Sequence, residues 1–316
     1  MPFVKTIRPQ KIRRGLSLKE FYEKRNKVLI IRAVGGLGDI LMHRMIFEDF
    51  KLLAPEIELH FACPWQYHDA VRDHPFVDKI FNTEYNQDDY IVHYNTSTAC
   101  GRYEMRIAPG YDLHRSDIWA SHCGLHLTKH DMHFNLTESE QAEGRKLIEE
   151  HRFCDGPSVI MSPISALTTK NIPDEELLKL ANELKFRGFC PIAVHTAPIY
   201  CLLKNDFPTI TPKLRQWLGI INQADYVISV DTAALHCAGG MRKPFVGIFT
   251  FVNGETYTKY YPTAEVVQSE CPVGHRGCYN WGLCPKKSGH ELPCHTNVNA
   301  KVVLESFDRL LERFPM

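Results

Sequence analysis

The sequence lacks a long apolar segment, an excess of either charge and any internal repeat. Its apolar runs fall short of the roughly 18 residues that a membrane-spanning helix needs. Lysine plus arginine and aspartate plus glutamate both number 37, so the formal net charge is zero and no global attraction to nucleic acid is expected. The basic start, MPFVKTIRPQKIRRG, lacks the apolar core of a signal peptide, which predicts a cytoplasmic protein. This start is either a solvated tail or a contact with an anionic membrane surface.

Apolar strands alternate with amphipathic helices along the chain, and this order predicts an α/β fold. The first half contains a continuous apolar strand, a glycine turn, a helix and a further strand, at 27–33, 35–38, 40–53 and 58–63. The same order returns in the second half, with strands and helices at 158–162, 174–187, 190–195 and 214–223. The 316 residues, 44% of them hydrophobic, suffice for two domains that each bury a core.

The domain boundaries follow from turn-forming residues. Residues 1–26 are expected to be an extension with one short helix. The turn Asp155-Gly156-Pro157 favours a boundary between a first domain, 27–154, and a second, 155–316. The second domain is expected to end with a cysteine-rich segment, 271–294, and a helix, 299–314.

The glycine turn after the first strand helps to separate two classes of protein. Two α/β halves fit either a dinucleotide-dependent dehydrogenase or a two-domain glycosyltransferase. The turn contains Gly36 and Gly38, but Leu41 replaces the third glycine of the dinucleotide fingerprint, so that match is weak. Asp39 directly follows the turn at the start of a helix, where a carboxylate is either an N-cap or an acid–base group.

The stretch ADYVISVDTAALHCAGGMRKPFVGIF, residues 224–249, predicts a strand, an Asp-Thr turn, a helix and a second strand. The side chains of Asp231 and Thr232 are expected to cap this helix. A helix N-terminus at the edge of a parallel sheet predicts an anion site. Thr232 and His236 lie four residues apart and so share one helix face. An ordinary strand–turn–helix with a packed histidine is the alternative.

Four of the eleven cysteines fall within 24 positions, namely Cys271, Cys278, Cys284 and Cys294. In a chain without an export signal, such a cluster favours metal binding over disulfides. Four soft ligands predict a closed tetrahedral site for structural zinc or iron. His275 is an alternative ligand, and buried free thiols are the alternative interpretation.

Three stretches together resemble the ADP-heptose:lipopolysaccharide heptosyltransferase family, which is glycosyltransferase family 9 with the GT-B fold. They are VLIIRAVGGLGDILMHRMI, SPISALTTKNIP and the Asp-Thr stretch given above. The resemblance implies two Rossmann-like domains whose parallel sheets face each other across a cleft, with the nucleotide-sugar donor bound mainly by the second. It also implies an inverting transfer in which Asp39 is the general base and Lys170 neutralises the departing diphosphate.

The resemblance further implies a set of donor-binding residues, in which Ala233 stands where the family has a glycine: Gly38, Thr168, Thr169, Asp231, Thr232, Ala233 and His236. The cysteine segment is similar to the cysteine finger of the heptosyltransferases that modify autotransporter adhesins. That similarity implies a metal held by four cysteines and a homo-oligomer.

We therefore expect an inverting glycosyltransferase that moves a sugar, with ADP-heptose favoured as donor, to a hydroxyl of a glycan or protein acceptor. One alternative keeps the fold and changes the acceptor to hydroxylated bases of phage DNA. The histidine- and arginine-rich span 102–133 keeps this alternative open, and the neutral net charge counts against it. A non-catalytic scaffold assembled through the metal finger is the second alternative.

Overall fold

The computed structural model describes residues 25–107, 112–195, 207–271 and 293–316. The chain packs into two compact units. The first contains Met1–Arg106 and Leu113–Asn135, and the second contains Ile107–Asp112 and Leu136–Met316. The domain boundary after residue 154 and the N-terminal extension stay predictions, and residues 1–24 of that extension lie outside the described residues.

The first unit is built on a four-stranded parallel sheet in the order β3-β2-β1-β4. Its strands are β1 Lys27–Ile31, β2 Glu58–Ala62, β3 Lys79–Phe81 and β4 Val92–Asn95. Its helices are α1 Leu37–Leu53, α2 Ala99–Ile107 and α3 Arg115–His122, with 3-10 helices at Trp65–Ala70 and Gln87–Asp89. The central strand β1 is buried from its second residue onward, as its unbroken apolar sequence predicts.

The second unit is built on a six-stranded sheet, also parallel, in the order β10-β9-β8-β5-β6-β7. Its strands are β5 Ser158–Ser162, β6 Cys190–Val194, β7 Thr209–Ile210, β8 Tyr226–Val230, β9 Phe245–Phe249 and β10 Ala264–Gln268. Its helices are α4 Glu138–His151, α5 Asp174–Phe186, α6 Leu214–Gln223, α7 Ala233–Gly240, α8 Gly254–Thr258, α9 Pro293–Thr296 and α10 Ala300–Arg313, with a 3-10 helix at Thr168–Lys170. Within the described ranges, none of the helices is long and apolar enough to cross a membrane.

The α/β prediction is confirmed by the two parallel sheets and the helices that alternate with their strands. The strand β5 and the helix α6 have the predicted bounds, and β8 lies at the start of the predicted stretch 224–249. The histidine- and arginine-rich part of the first unit contains the short helices α2 and α3. The short strand β7 and the edge strand β10 carry no strong apolar pattern, and the sequence did not predict them.

The C-terminal helix α10 closes one face of the six-stranded sheet. Its residues Val303, Phe307 and Leu310 are buried in the core of the second unit. The ring of Phe307 lies 5.4 Å from that of Tyr226 on β8, in an edge-on arrangement favoured by aromatic pairs. The Tyr226 hydroxyl donates 2.9 Å to the carbonyl of Phe314, which fixes the end of the helix. This packing holds β8, the strand that leads into the Asp-Thr turn.

Two glycines allow α4 and α6 to cross in close backbone contact. A Cβ atom on Gly144 of α4 would lie 2.2 Å from the carbonyl carbon of Gly219 on α6. Beside this crossing, Arg215 donates to Glu140 through Nε and Nη2, at 2.7 and 2.6 Å. The crossing therefore combines a steric requirement for glycine with a bidentate ion pair that sets the register of the two helices.

We predict that Gly144→Ala destabilises the second unit by about 1–3 kcal/mol, because the added methyl group meets backbone atoms that cannot move aside cheaply. Urea unfolding of the full chain measures this effect. Gly101→Ala is the matched control, since a Cβ on this helical glycine of α2 meets nothing within 4 Å. There, alanine should leave stability unchanged or raise it. Equal effects of the two substitutions would contradict the steric argument.

Candidate active site

Asp39 lies in the first turn of α1, directly beneath the glycine turn that follows β1. The helix begins at Leu37 with Gly36 as its N-cap residue. Gly35 adopts a φ of +122°, and a Cβ there would lie 2.6 Å from both Asp39 Oδ2 and Arg32 Nη2. Only glycine fits this backbone conformation with the two charged groups so close. The turn therefore places the Asp39 carboxylate close to the backbone of Gly35.

Both carboxylate oxygens of Asp39 accept from arginines. Arg32 at the end of β1 donates from Nη2 to Oδ2 at 2.7 Å, and Arg115 at the start of α3 donates from Nη1 to Oδ1 at 2.6 Å. Arg115 is itself held by the buried Glu104 of α2, through Nε at 2.9 Å and Nη2 at 3.1 Å. Arg32 also donates to two backbone carbonyls just past β4. Asp39 is thus an ion-paired carboxylate rather than a plain helix cap.

The electrostatic environment keeps Asp39 ionised. Burial raises its pKa, but the charges of Arg115 and Arg32 and the hydrogen bond from Arg32 outweigh burial and hold the pKa well below the ordinary value. The side chain is 12% exposed, so solvent reaches it to a limited extent. A carboxylate oxygen accepts more than one hydrogen bond, so a hydroxyl group can still bind to Asp39 beside the arginines.

A buried histidine supports the backbone of this turn. The Nδ1 atom of His43 lies 2.7 Å from the carbonyl oxygen of Asp39, and its Nε2 lies 2.9 Å from the hydroxyl of Thr96. Burial and the charge of Arg32 lower the pKa of His43 to about 3, so the ring is neutral at neutral pH. Because a carbonyl only accepts, Nδ1 carries the proton. The ring of Trp119 packs 3.7 Å from the His43 ring and fixes its orientation.

The second unit brings Lys170 and Asp231 together at the carboxyl edge of its sheet. Lys170 ends the 3-10 helix after β5, and Asp231 follows β8. Lys170 Nζ donates to Asp231 Oδ2 at 2.6 Å, and the two side chains are 16% and 6% exposed. The ring of Phe251, which follows β9, lies 5.5 Å from the same nitrogen. Three neighbouring strand ends therefore meet at one lysine ammonium group.

The predicted side-chain cap at the Asp-Thr turn is wrong. Thr232 is the N-cap residue of α7, but its side chain makes no capping hydrogen bond. The carboxylate of Asp231 binds Lys170 instead, since a charged partner gives a stronger hydrogen bond than a backbone amide. The first-turn N–H groups of α7 therefore have no cap from the Thr232 side chain, which is what an anion site at a helix N-terminus requires.

The other predicted donor residues divide into accessible and buried groups. Thr168 is exposed and Thr169 is half-buried, in the same 3-10 helix as Lys170. Ala233 is half-buried at the first position of α7. His236, expected to look into the site, is 2% exposed, and its Nδ1 lies 2.9 Å from the hydroxyl of Tyr261. Gly38 belongs to the first unit, in the first turn of α1.

Two of the predicted metal ligands, Cys278 and Cys284, lie outside the described residues, as does His275. Cys271 is half-buried and Cys294 is buried. In the part of the chain that the structure describes, no group of three or more histidine, cysteine or acidic side chains is arranged to hold a metal ion. The four-cysteine site stays a prediction.

The arginines that pair with Asp39 were not predicted from the sequence. Arg115 lies 76 positions from Asp39 in the sequence. Its partner Glu104 belongs to no sequence motif that marks it as an ion-pair residue. Arg32 offered one signal, because a charge at the end of a buried strand needs a partner. Phe251 was likewise missed, since it follows β9 in a loop without a motif.

The two parallel α/β sheets have the fold of GT-B glycosyltransferases, as predicted. The family model for glycosyltransferase family 9 (heptosyltransferase) matches residues 115–278. That match covers just over half of the 316 residues, and the chain belongs to this family. The predicted family and the predicted enzyme class are confirmed.

Solved structures share this fold at low sequence identity. Escherichia coli ADP-heptose lipopolysaccharide heptosyltransferase II matches with a TM-score of 0.63 and 14% identity, over 91% of this chain and 99% of its own. E. coli heptosyltransferase WaaC with ADP matches with a TM-score of 0.60 and 13% identity, over 90% and 99%. The iron-containing dodecameric glycosyltransferase TibC from enterotoxigenic E. coli H10407 matches with a TM-score of 0.67 and 15% identity, over 90% and 76%. No curated protein sequence matches significantly.

We predict that the contribution of Asp39 to stability depends on pH. In the unfolded chain it titrates near its ordinary pKa of about 4, and in the folded chain its pKa is lower. Its ionised form therefore stabilises the fold above about pH 4, and this contribution is lost as the pH falls toward the folded pKa. The difference in unfolding free energy between wild type and Asp39→Asn, on the order of 2 kcal/mol, should be constant from pH 7 to pH 5 and shrink at pH 3.

Urea unfolding at each pH provides this measurement. Asp88→Asn, which removes an exposed carboxylate from the same unit, is the control and should show a small difference at every pH. A wild-type advantage over Asp39→Asn that stays the same at pH 3 would contradict the ion-pair assignment.

Proposed function

We propose that this glycosyltransferase is an inverting enzyme that transfers a sugar from a nucleotide diphosphate donor, with ADP-heptose favoured, to a hydroxyl of a glycan or protein. The contact between Lys170 and Asp231 beside the N-terminus of α7 carries the proposal. In this proposal the second unit binds the donor, and the first unit presents the acceptor to Asp39.

The Lys170 ammonium group is suited to a diphosphate because it is fixed and only partly exposed. Lysine has three N–H donors, and Asp231 takes one of them. The remaining donors can bind phosphate oxygens while Asp231 keeps the nitrogen in place. Negative charge grows on the diphosphate as the bond to the sugar breaks, and a positioned cation stabilises that charge more in the transition state than in the bound donor.

Uncharged hydrogen-bond donors accompany Lys170 in the second unit. The N-terminus of α7 presents first-turn N–H groups that the Thr232 side chain does not cap. The hydroxyls of Thr168 and Thr169 lie in the same 3-10 helix as Lys170. A diphosphate in this position would accept hydrogen bonds from the lysine, the hydroxyls and the helix amides.

Asp39 is suited to accept the proton of the attacking hydroxyl. Its carboxylate is ionised at any working pH because Arg115 and Arg32 lower its pKa. A strongly paired carboxylate is a weak base in the resting enzyme, so we infer that proton transfer occurs late, as the new C–O bond forms and the hydroxyl becomes acidic. In a single displacement with inversion, one base and one stabilised leaving group are sufficient.

The donor assignment draws support from the relatives. WaaC was solved with ADP, and TibC was solved with ADP-D-β-D-heptose. At 15% identity or less, these likenesses show the fold alone, so the donor remains our proposal for this chain.

We predict that Asp39→Asn and Lys170→Met separate the two roles. Both should lower transfer from ADP-heptose by about 10²-fold or more, as expected for loss of a base or of leaving-group stabilisation. Only Lys170→Met should weaken donor binding, because Asp39 lies in the other unit and acts on the acceptor. A thermal-shift titration with ADP-heptose measures binding, since a ligand that binds only the folded chain raises the midpoint of unfolding.

Lys179→Met is the matched control, because it removes an exposed lysine paired to Glu176 on the same unit. It should leave both transfer and the thermal shift unchanged. If ADP-, UDP-, GDP- and CDP-sugars all fail to shift the unfolding midpoint of the wild type, the proposed function is wrong.

We also propose that the cysteine segment holds one structural metal ion, zinc or iron. Its two ends are tied together, because the Ser269 hydroxyl donates to the carbonyl of Cys294 and Asn297 Nδ2 donates 3.1 Å to the carbonyl of Glu270. These contacts hold the segments that carry Cys271 and Cys294 close together, as a shared metal would need. TibC is iron-containing and dodecameric, which supports both this proposal and the prediction of a homo-oligomer.

Elemental analysis of protein purified without added metal tests this proposal. We predict about one zinc or iron per chain, and a marked loss of metal in Cys271→Ser and Cys294→Ser. Cys63→Ser, at a buried cysteine of the first unit, is the control and should keep the metal. A wild-type metal content near zero would be incompatible with the site.

A further inference from the structure

Trp65 is an exposed tryptophan on the first unit. It is 72% exposed, whereas Trp119 and Trp217 are buried. Tryptophan carries the largest apolar side chain, and leaving it in water costs more than leaving any smaller residue there. An exposed indole is often a ligand contact, because it offers a flat apolar face at a low cost in conformational entropy.

The turn that carries Trp65 is anchored at both ends. Trp65 begins the 3-10 helix that follows β2, and the Nε2 atom of His68 in that helix lies 3.2 and 3.1 Å from the carbonyl oxygens of Cys63 and Phe81. At the other end, the carbonyl of Ala70 accepts from a buried arginine at 2.6 Å. The indole therefore projects from a backbone that is fixed to the ends of β2 and β3.

Trp65 leaves the sheet next to the glycine turn that covers Asp39. Strands β1 and β2 are adjacent and parallel, with Ile31 opposite Ala62, and the N–H of Arg32 donates 2.8 Å to the carbonyl of Ala62. Beyond this last hydrogen bond, the chain reaches Trp65 three residues after Ala62. Both turns thus begin at the same edge of the sheet, one strand spacing of about 4.8 Å apart.

The glycine turn above Asp39 is itself open to solvent. Val34 is 56% exposed, and a Cβ on Gly36 would meet nothing within 4 Å. Gln66, next to Trp65, is also exposed and offers an amide that both donates and accepts. An exposed apolar face, an amide and a partly buried carboxylate therefore lie at the carboxyl edge of one sheet, where α/β folds bind ligands.

We propose that Trp65 is the platform of the acceptor subsite, and that it binds a sugar ring of a glycan acceptor whose hydroxyl is directed to Asp39. This inference rests on the proposed function and selects the glycan among its two acceptor classes. A pyranose ring has a flat apolar face of C–H groups and a polar rim of hydroxyls, which match the indole face and the Gln66 amide. A serine or threonine side chain in a peptide has the hydroxyl but no such face.

The test compares Trp65→Ala and Trp65→Phe with the wild-type full chain, using ADP-heptose as donor and a deacylated lipopolysaccharide core oligosaccharide as acceptor. Trp65→Ala should raise the KM for the oligosaccharide about tenfold or more and leave the KM for ADP-heptose unchanged. Trp65→Phe keeps an aromatic face and should recover most of the loss. Phe186→Ala, at an 86% exposed aromatic residue of the second unit, is the matched control and should change neither value.

Binding is also measured without catalysis. Titration with the oligosaccharide should change the tryptophan fluorescence of the wild type, and this change should be absent in Trp65→Phe. All variants should keep the thermal midpoint of the wild type, because the side chain is exposed. If the oligosaccharide binds with this signal but no transfer occurs, the subsite stands and the proposed function is wrong.

Two outcomes overturn the subsite and leave the proposed function standing. One is wild-type transfer to the oligosaccharide with an unchanged KM in Trp65→Ala. The other is transfer to a serine- and threonine-containing peptide but not to the oligosaccharide, with no fluorescence change on adding the oligosaccharide.

Discussion

The ion pairs of Asp39 connect several elements around the first sheet. Its two arginines come from the end of β1 and the start of α3, and one of them also binds backbone carbonyls just past β4. Glu104 on α2 holds the other arginine. A single carboxylate therefore fixes the relative positions of two strand ends and three helices. Because each charge is largely buried, loss of one partner leaves the others uncompensated, and the group functions as a unit.

The second unit uses the same principle on a smaller scale. Its lysine and aspartate come from the segments after β5 and β8, which are neighbouring strands, and an aromatic ring from the segment after β9 packs over the lysine. Parallel strands make this possible, since all their carboxyl ends lie at one edge of the sheet. The fold thus brings together residues that lie 61 positions apart in sequence. Of these two ion-pair groups, only the one around Asp39 contains a residue in an unusual backbone conformation, namely Gly35.

The fold was largely predictable because the signals that specify it are local. The unbroken apolar runs at β1, β5 and β8 and the amphipathic pattern of α6 are read within a window of a few residues. Asp39 and Asp231 were predicted as site residues because each lies in a recognisable strand–turn–helix motif, and Lys170 because its loop resembles that of the family. Their partners were not, since ion pairs between distant residues follow from the tertiary structure and leave no spacing pattern. The predicted capping role of Asp231 failed for this reason: the local rule was correct, but a lysine from another strand end offered the stronger bond.

The hydrogen bonds between Ser269 and Cys294 and between Glu270 and Asn297 have a consequence for the chain length that the fold tolerates at this point. They join the end of β10 directly to the segment before α10. The packing of the sheet and its covering helix therefore does not depend on how many residues lie between these two points. The entropic cost of a longer excursion between two fixed points grows slowly with its length. Such a junction can accommodate an insertion or a deletion while the sheet and its covering helix keep their packing.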